Sequence, residues 1–111
     1  MKTIFKKIID REQPAEIVFE NDRIIAIKDI HPLAPVHLLI MPKKEYADLQ
    51  SVPKEDLPVL AEIAEVAQNL AREFDVADQY RLLTNIGPKS GQSIFHLHFH
   101  LIGGKRLGPM A

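Results

Sequence analysis

The chain of 111 residues has no cysteine and only five glycines, and with 14 basic against 15 acidic residues it carries a formal net charge of −1. Without cysteine there are no disulfides, no thiolate nucleophile and no cysteine-bearing zinc site, a pattern suited to a reducing compartment. A balanced charge leaves no global field to draw the protein to nucleic acid or anionic lipid, so neither is an expected partner. No apolar run approaches the roughly 18 residues of a membrane span. The basic opening, Met1 to Ile9, lacks an uninterrupted apolar stretch of signal-peptide length, which makes the cytoplasm the expected location. Internal repeats, low-complexity tracts and glycine- or serine-rich linkers are missing too, so a single domain is expected over residues 1–111. What is present is 46% hydrophobic and 26% charged, too apolar for a disordered chain. A domain of this size buries roughly 65% of the surface its unfolded form exposes, enough for a core without staples.

Apolar spacing sets out the elements. Residues 4–11 place Ile4, Ile8 and Arg11 on one helical stripe beside Phe5 and Ile9, a short helix ending before Pro14. Residues 16–20 and 23–29 are runs rich in isoleucine and valine, with Asn21-Asp22 between them as a two-residue hairpin turn tolerant of positive φ. A third strand covers 36–41 and stops at Pro42. From 55 to 74, Leu57, Leu60, Ala64, Ala67, Ala71 and Phe74 recur at intervals of 3 and 4, the strongest helical pattern in the chain, with Pro58 belonging to its first turn. Residues 80–86 and 94–102 read as two closing strands around the turn residues Gly87 to Gly91. The expected fold class is α+β: a five-stranded, mostly antiparallel sheet with one long and one short helix.

Three of the five histidines fall in one phrase, His96-Leu97-His98-Phe99-His100. On a strand, alternate side chains share a face, so the three imidazoles point one way while Leu97, Phe99 and Leu101 point to the core. Imidazoles in alternation, roughly 6.5–7 Å apart at Cβ, can act on one small ligand. A single histidine is well explained as a satisfied core or surface residue; packing gains nothing from three repeated side by side. Two chemistries remain open. His96, His98 and His100 could chelate zinc with an open position for water. Alternatively, one histidine is a nucleophile and its neighbours fix its tautomer and stabilise charge. Gly91, Gln92 and Ser93 just upstream, with Asn85 and Gly87 before them, offer the backbone and side-chain donors that cradle a phosphate. No Asp or Glu lies nearby in sequence to complete a two-histidine, one-carboxylate site, although Asp29 could be brought there by folding.

The segment Gly91-Gln-Ser-Ile-Phe-His96-Leu-His98-Phe-His100-Leu-Ile-Gly-Gly104 resembles the histidine triad (HIT) signature. Likeness extends in family order over nearly the whole chain: Thr3-Ile4-Phe5, Asp29-Ile30, Ala34-Pro-Val-His37, Pro42-Lys-Lys44, Asn85 and Gly87. Histidine at the third triad position resembles the hydrolases, and Gly103-Gly104 resembles the nucleotide-binding (HINT) branch. The resemblance implies a purine nucleotide-binding hydrolase of the adenosine 5′-monophosphoramidase type. Such an enzyme cleaves the P–N bond of nucleoside 5′-phosphoramidates, or related nucleotidyl esters, through a covalent nucleotidyl-histidine. It implies His98 as nucleophile, Ser93 at the leaving group, His37 and His100 supporting the nucleophile and the phosphate charge, and His96 orienting the strand. Asp29 is implied as the ribose acceptor, Phe5, Ile8, Ile27, Ile30 and Leu39 as the purine slot, and Asn85, Gly91 and Gln92 near the phosphate. No metal and no cofactor are implied; the implied partners are AMP and GMP derivatives, and the implied assembly is a two-fold homodimer.

Two other functions stay open: hydrolysis of dinucleoside polyphosphates, and a nucleotide-binding or interaction protein with vestigial catalysis. The chain also departs from the pattern. Its tail, Lys105 to Ala111, lacks the tryptophan common in eukaryotic relatives, Ile27 stands where an aromatic is common, and His31 is an additional histidine beside Pro32.

Overall fold

The computed structural model describes residues 1–110, and Ala111, the last residue of the tail, lies outside them. Helix α1 (Ile4–Ile9) starts where Thr3 Oγ1 accepts the amide of Lys6 at 3.1 Å, and it stops two residues short of the expected end. Its chain reverses through Arg11 at φ +62°, with the amides of Arg11 and Glu12 donating to the carbonyls of Ile8 and Lys7. This is the Schellman closure, here with arginine in the left-handed position that glycine usually fills.

Strands β1 (Ile17–Glu20) and β2 (Ile24–Lys28) form the expected hairpin, but the turn differs. Asn21 uses its side chain instead of a positive φ: Oδ1 accepts from the amides of Arg23 and Ile24 at 2.9 and 2.8 Å, which makes Arg23 part of the turn. Strand β3 (Val36–Pro42) follows. Helix α2 (Pro58–Glu73) begins three residues later than its apolar pattern, because residues 54–56 form a separate 3-10 turn. Pro58 then opens the helix, where its missing N–H removes no hydrogen bond. Strand β4 (Tyr80–Leu83) ends three residues early, and β5 (Phe99–Gly103) begins five residues later than expected. All neighbours are antiparallel in the order β1-β2-β3-β5-β4.

Alternation along the central strands divides the interior in two. Ile24, Ala26, Leu38, Ile40 and Leu101 face α2 and pack on Val59, Ile63, Val66, Ala67 and Leu70. Ile25, Ile27, Leu39 and Met41 face the other way and pack with Phe5 and Ile8 of α1, with Ile9, Ala15, Ile17 and Ile94 at the margin. Gly103 shows how tightly β5 is held. A Cβ there would stand 3.2 Å from the Gln79 carbonyl and from Val76 Cβ, so any side chain would push the connection into β4 away. No helix among the described residues is long and apolar enough to cross a membrane.

Candidate active site

The thinly covered face of the sheet carries the histidines. Register sets Leu39 opposite His100 and His37 opposite Ile102, so His37 and His100 are diagonal neighbours on one face, their rings 5.2 Å apart. His98 continues the row, 5.1 Å from His100 and edge-on to Phe5 at 4.9 Å. Although His96 and His98 lie outside the regular strand, Leu97 still points away from them, into a small cluster with Tyr46 and Val52. The segment leaves the ladder because other bonds replace it: Leu97 N–H donates to the Tyr46 carbonyl at 2.7 Å, and Thr84 Oγ1 donates to the His98 carbonyl at 2.7 Å.

Hydrogen-bond partners assign the tautomers. A carbonyl can only accept, so His98 Nδ1, 2.7 Å from the His96 carbonyl, carries the proton, and Nε2 keeps its lone pair. The Leu33 amide donates to His37 Nδ1 at 3.0 Å, which places the His37 proton on Nε2. That N–H donates in turn to His100 Nδ1 at 2.9 Å, and His100 presents an Nε2–H donor at its opposite edge. A bare imidazole nitrogen and an N–H donor therefore stand side by side. Burial lowers all of these pKa values by penalising the cation. For His98 the bond to the His96 carbonyl opposes that shift; for His37 the Asp29 carboxylate does. His100 is pushed down to about 4 by burial and then by its neighbours His98 and His37. Each imidazole is neutral at pH 7.

His98 and His100 border a cavity of about 530 Å³, comparable to a small-molecule site. Of the residues singled out in the sequence, His98, His100, Ser93, Asn85, Gly91, Asp29, Ile30, Phe5, Ile8, Ile27 and Leu39 all line it. Gly91 sits at φ +103°, and a Cβ there would lie 3.7 Å from Asn85 Nδ2. Asp29 Oδ1 accepts the His31 amide at 2.8 Å, while Oδ2 is 3.4 Å from His37 Nε2. Three residues stand elsewhere. Gln92 is buried beside the cavity with its amide committed to the loop: Oε1 accepts from Gly87, and Nε2 donates to Ala47 and Ile94. His96 is buried behind His98, its Nε2 2.7 Å from the Pro42 carbonyl. His37 approaches from behind through His100. Ile30 is on the rim and 84% exposed, not enclosed as a slot residue should be.

The ring nitrogens of His96, His98 and His100 do not converge for zinc, and His96 lies buried with Nε2 on the Pro42 carbonyl. Among the described residues the convergent donor set is Asp29, His37 and His100, with atoms within 4.8 Å of one another. Its two nitrogens are 2.9 Å apart, closer than the about 3.3 Å implied by tetrahedral zinc with its usual Zn–N lengths. A metal would have to break the His37–His100 bond to enter.

Sequence reasoning missed Ile4, Gln13, Pro14, Ala15, Lys28, Leu33 and Ile94 as lining residues. Gln13 and Lys28 carried a usable signal, as polar side chains close to the first helix and beside Asp29. Leu33 acts through its main-chain amide, which no residue pattern reveals.

A family model described as "Scavenger mRNA decapping enzyme C-term binding" matches residues 2–110. A HIT-like protein of Chlamydia pneumoniae is 50% identical over 109 residues, 98% of this chain and 99% of its own length. The chain belongs to the HIT family. Among its HIT-family relatives, the purine nucleoside phosphoramidase of Escherichia coli K12 is 42% identical over 110 residues, covering 98% of this chain and 92% of its own. The solved structure of a HIT family hydrolase from Clostridium thermocellum superposes with a TM-score of 0.94 at 45% identity, over 97% of this chain and 95% of that one. The α+β architecture is thus the HIT fold.

Proposed function

We propose that this protein is a nucleotide hydrolase that cleaves purine nucleoside 5′-phosphoramidates through a nucleotidyl group carried on His98. One observation supports this most: a neutral imidazole with its Nδ1–H tied to a carbonyl and its bare Nε2 at a cavity of nucleotide size. The kinship with a phosphoramidase of Escherichia coli agrees with it.

In the first step His98 Nε2 forms a bond to the α-phosphorus as the bond from phosphorus to the amine nitrogen breaks, and the amine departs with a proton that the exposed Ser93 hydroxyl passes on from solvent. The positive charge that develops on His98 is stabilised through Nδ1–H by the His96 carbonyl, which gives a main-chain group the part of an orienting carboxylate. His100 Nε2–H, Asn85 and the Gly91 backbone supply donors for the phosphoryl oxygens. Water then attacks phosphorus, the P–Nε2 bond breaks to return neutral His98, the water's proton passes back to solvent, and the nucleoside monophosphate leaves. Asp29 accepts from the ribose hydroxyls, and Phe5, Ile8, Ile27 and Leu39 enclose the base. Gln92 serves the phosphate indirectly, by fixing the loop that presents Gly91, and Ile30 closes the slot from its rim. Two copies of the chain joined through β4, an edge strand with Leu82 exposed, would cover that edge.

AMP release from adenosine 5′-phosphoramidate by chelator-treated protein, alongside His98→Ala, tests the reading. Turnover in the first and none in the second is expected. Activity that vanishes with chelator and returns with zinc would favour the Asp29–His37–His100 set as a metal centre instead.

A further inference from the structure

The cavity has a direction. His98 meets Phe5 edge-on at 4.9 Å. Ile8 stands one turn farther along α1, about 4.5 Å away by the helical rise. Beyond the helix the chain folds back, with the Gln13 main-chain N–H 3.3 Å from the Lys7 carbonyl, and Gln13, Ile8 and Ala15 line both this cavity and a second groove that no imidazole borders. Between the two ends the lining is apolar and closed: Phe5, Ile8, Ile27 and Leu39 are each no more than 6% exposed.

An apolar slot holds any flat ring and reads none of them; a base is distinguished only by polar groups set against its edge. The charged side chains on either side of Gln13 in the chain already have partners, Glu12 being held by Lys2. Arg11 pairs with Glu20, and Lys28 holds Glu16 at 2.7 Å. Gln13 is exposed, uncharged and carries both an amide donor and a carbonyl acceptor.

Building on the nucleotide-hydrolase reading above, we propose that Gln13 is a specificity-determining residue that reads the Watson–Crick edge of the purine. Its carboxamide can accept from adenine N6–H while donating to N1. Turned over, it donates to guanine O6 while accepting from N1–H. Both purines are admitted on equal terms, whereas a single-ring base ends short of the amide and gains nothing from it.

Calorimetric titration of wild type, Gln13→Glu and Gln13→Leu with AMP, GMP and CMP tests this without requiring turnover. A carboxylate only accepts. It suits the N1–H and N2–H of guanine and repels adenine N1, so Gln13→Glu should raise the ratio of GMP to AMP affinity about tenfold over wild type. The ratio cancels any general repulsion between the new charge and the phosphate. Gln13→Leu should weaken AMP and GMP alike by severalfold and leave CMP unchanged. An unchanged ratio in Gln13→Glu, a shift towards AMP, or undiminished purine binding by Gln13→Leu would overturn the role of Gln13 while leaving the hydrolase reading intact. A wild type that binds neither purine mononucleotide would remove the nucleotide reading, and this inference with it.

Discussion

The two faces of one sheet have been put to different uses. On one, the 16 residues of α2 cover Ile24, Leu38, Ile40 and Leu101 so fully that none exceeds 1% exposure. On the other, the six residues of α1 help to bury Ile25 and Met41 but leave Ile27 and Leu39 at the wall of the cavity where His98 and His100 stand. The same strands supply both, by alternation: Leu38 and Ile40 look towards α2, and Leu39 towards the cavity, with His37 on the same face behind His100. Packing alone holds the first face, so the second is free to carry polar groups whose partners are main-chain carbonyls and amides. Stability and chemistry should therefore separate by face.

The largest effect expected is on the cavity side. His98→Ala should lower kcat by about 10⁴-fold or more while AMP binding and the thermal midpoint stay near wild type, which steady-state rates, calorimetry and melting check together. On the α2 side, Leu70→Ala should destabilise the fold by about 3 kcal/mol in chemical denaturation and leave kcat unaltered well below the midpoint. Loss of turnover in folded Leu70→Ala would show that the faces are coupled. His37→Ala removes the link that sets the His100 tautomer, and kcat should fall by about 10²-fold with little change in KM.

Acidity sharpens the contrast further. His37, His96, His98 and His100 all have pKa values below 6.5 in the folded protein, whereas in the unfolded chain they return towards 6.5. Between those limits the unfolded state binds more protons. Their contribution to stability is therefore complete above about pH 6.5 and lost as the pH falls towards about 4, the value for His100. Denaturation midpoints at pH 7.5 and 5 should show the decline, and His100→Gln should reduce it. The smallest effect lies away from both faces. Asp75 closes α2 at φ +59°, and Asp75→Gly should stabilise the protein by about 0.5 kcal/mol, seen as a small rise in the melting midpoint.

Those contrasts follow what could and could not be read from residue order. Helix α2 was legible because its apolar positions repeat over four turns, and β3 because its run ends at a proline. The histidine row was legible from alternation alone, even though His96 and His98 sit outside the ladder. Strand ends were not legible: β5 begins at Phe99 because Thr84 and Tyr46 take the bonds of the preceding residues, a long-range competition invisible to local pattern. Nor could sequence show that Asn21 closes its turn through a side chain, or that Gln92 spends its amide on Gly87, Ala47 and Ile94. The chain of protons from Leu33 through His37 to His100 joins residues more than sixty positions apart, and its first member contributes only a main-chain amide.

The central claim is that phosphorus is attacked first by His98 and then by water. The most direct test is the stereochemical course at phosphorus, using a P-chiral adenosine 5′-phosphoramidothioate hydrolysed in isotopically labelled water. Two successive in-line displacements predict retention of configuration. Inversion would mean a single attack by water, and would contradict a nucleotidyl group carried on His98.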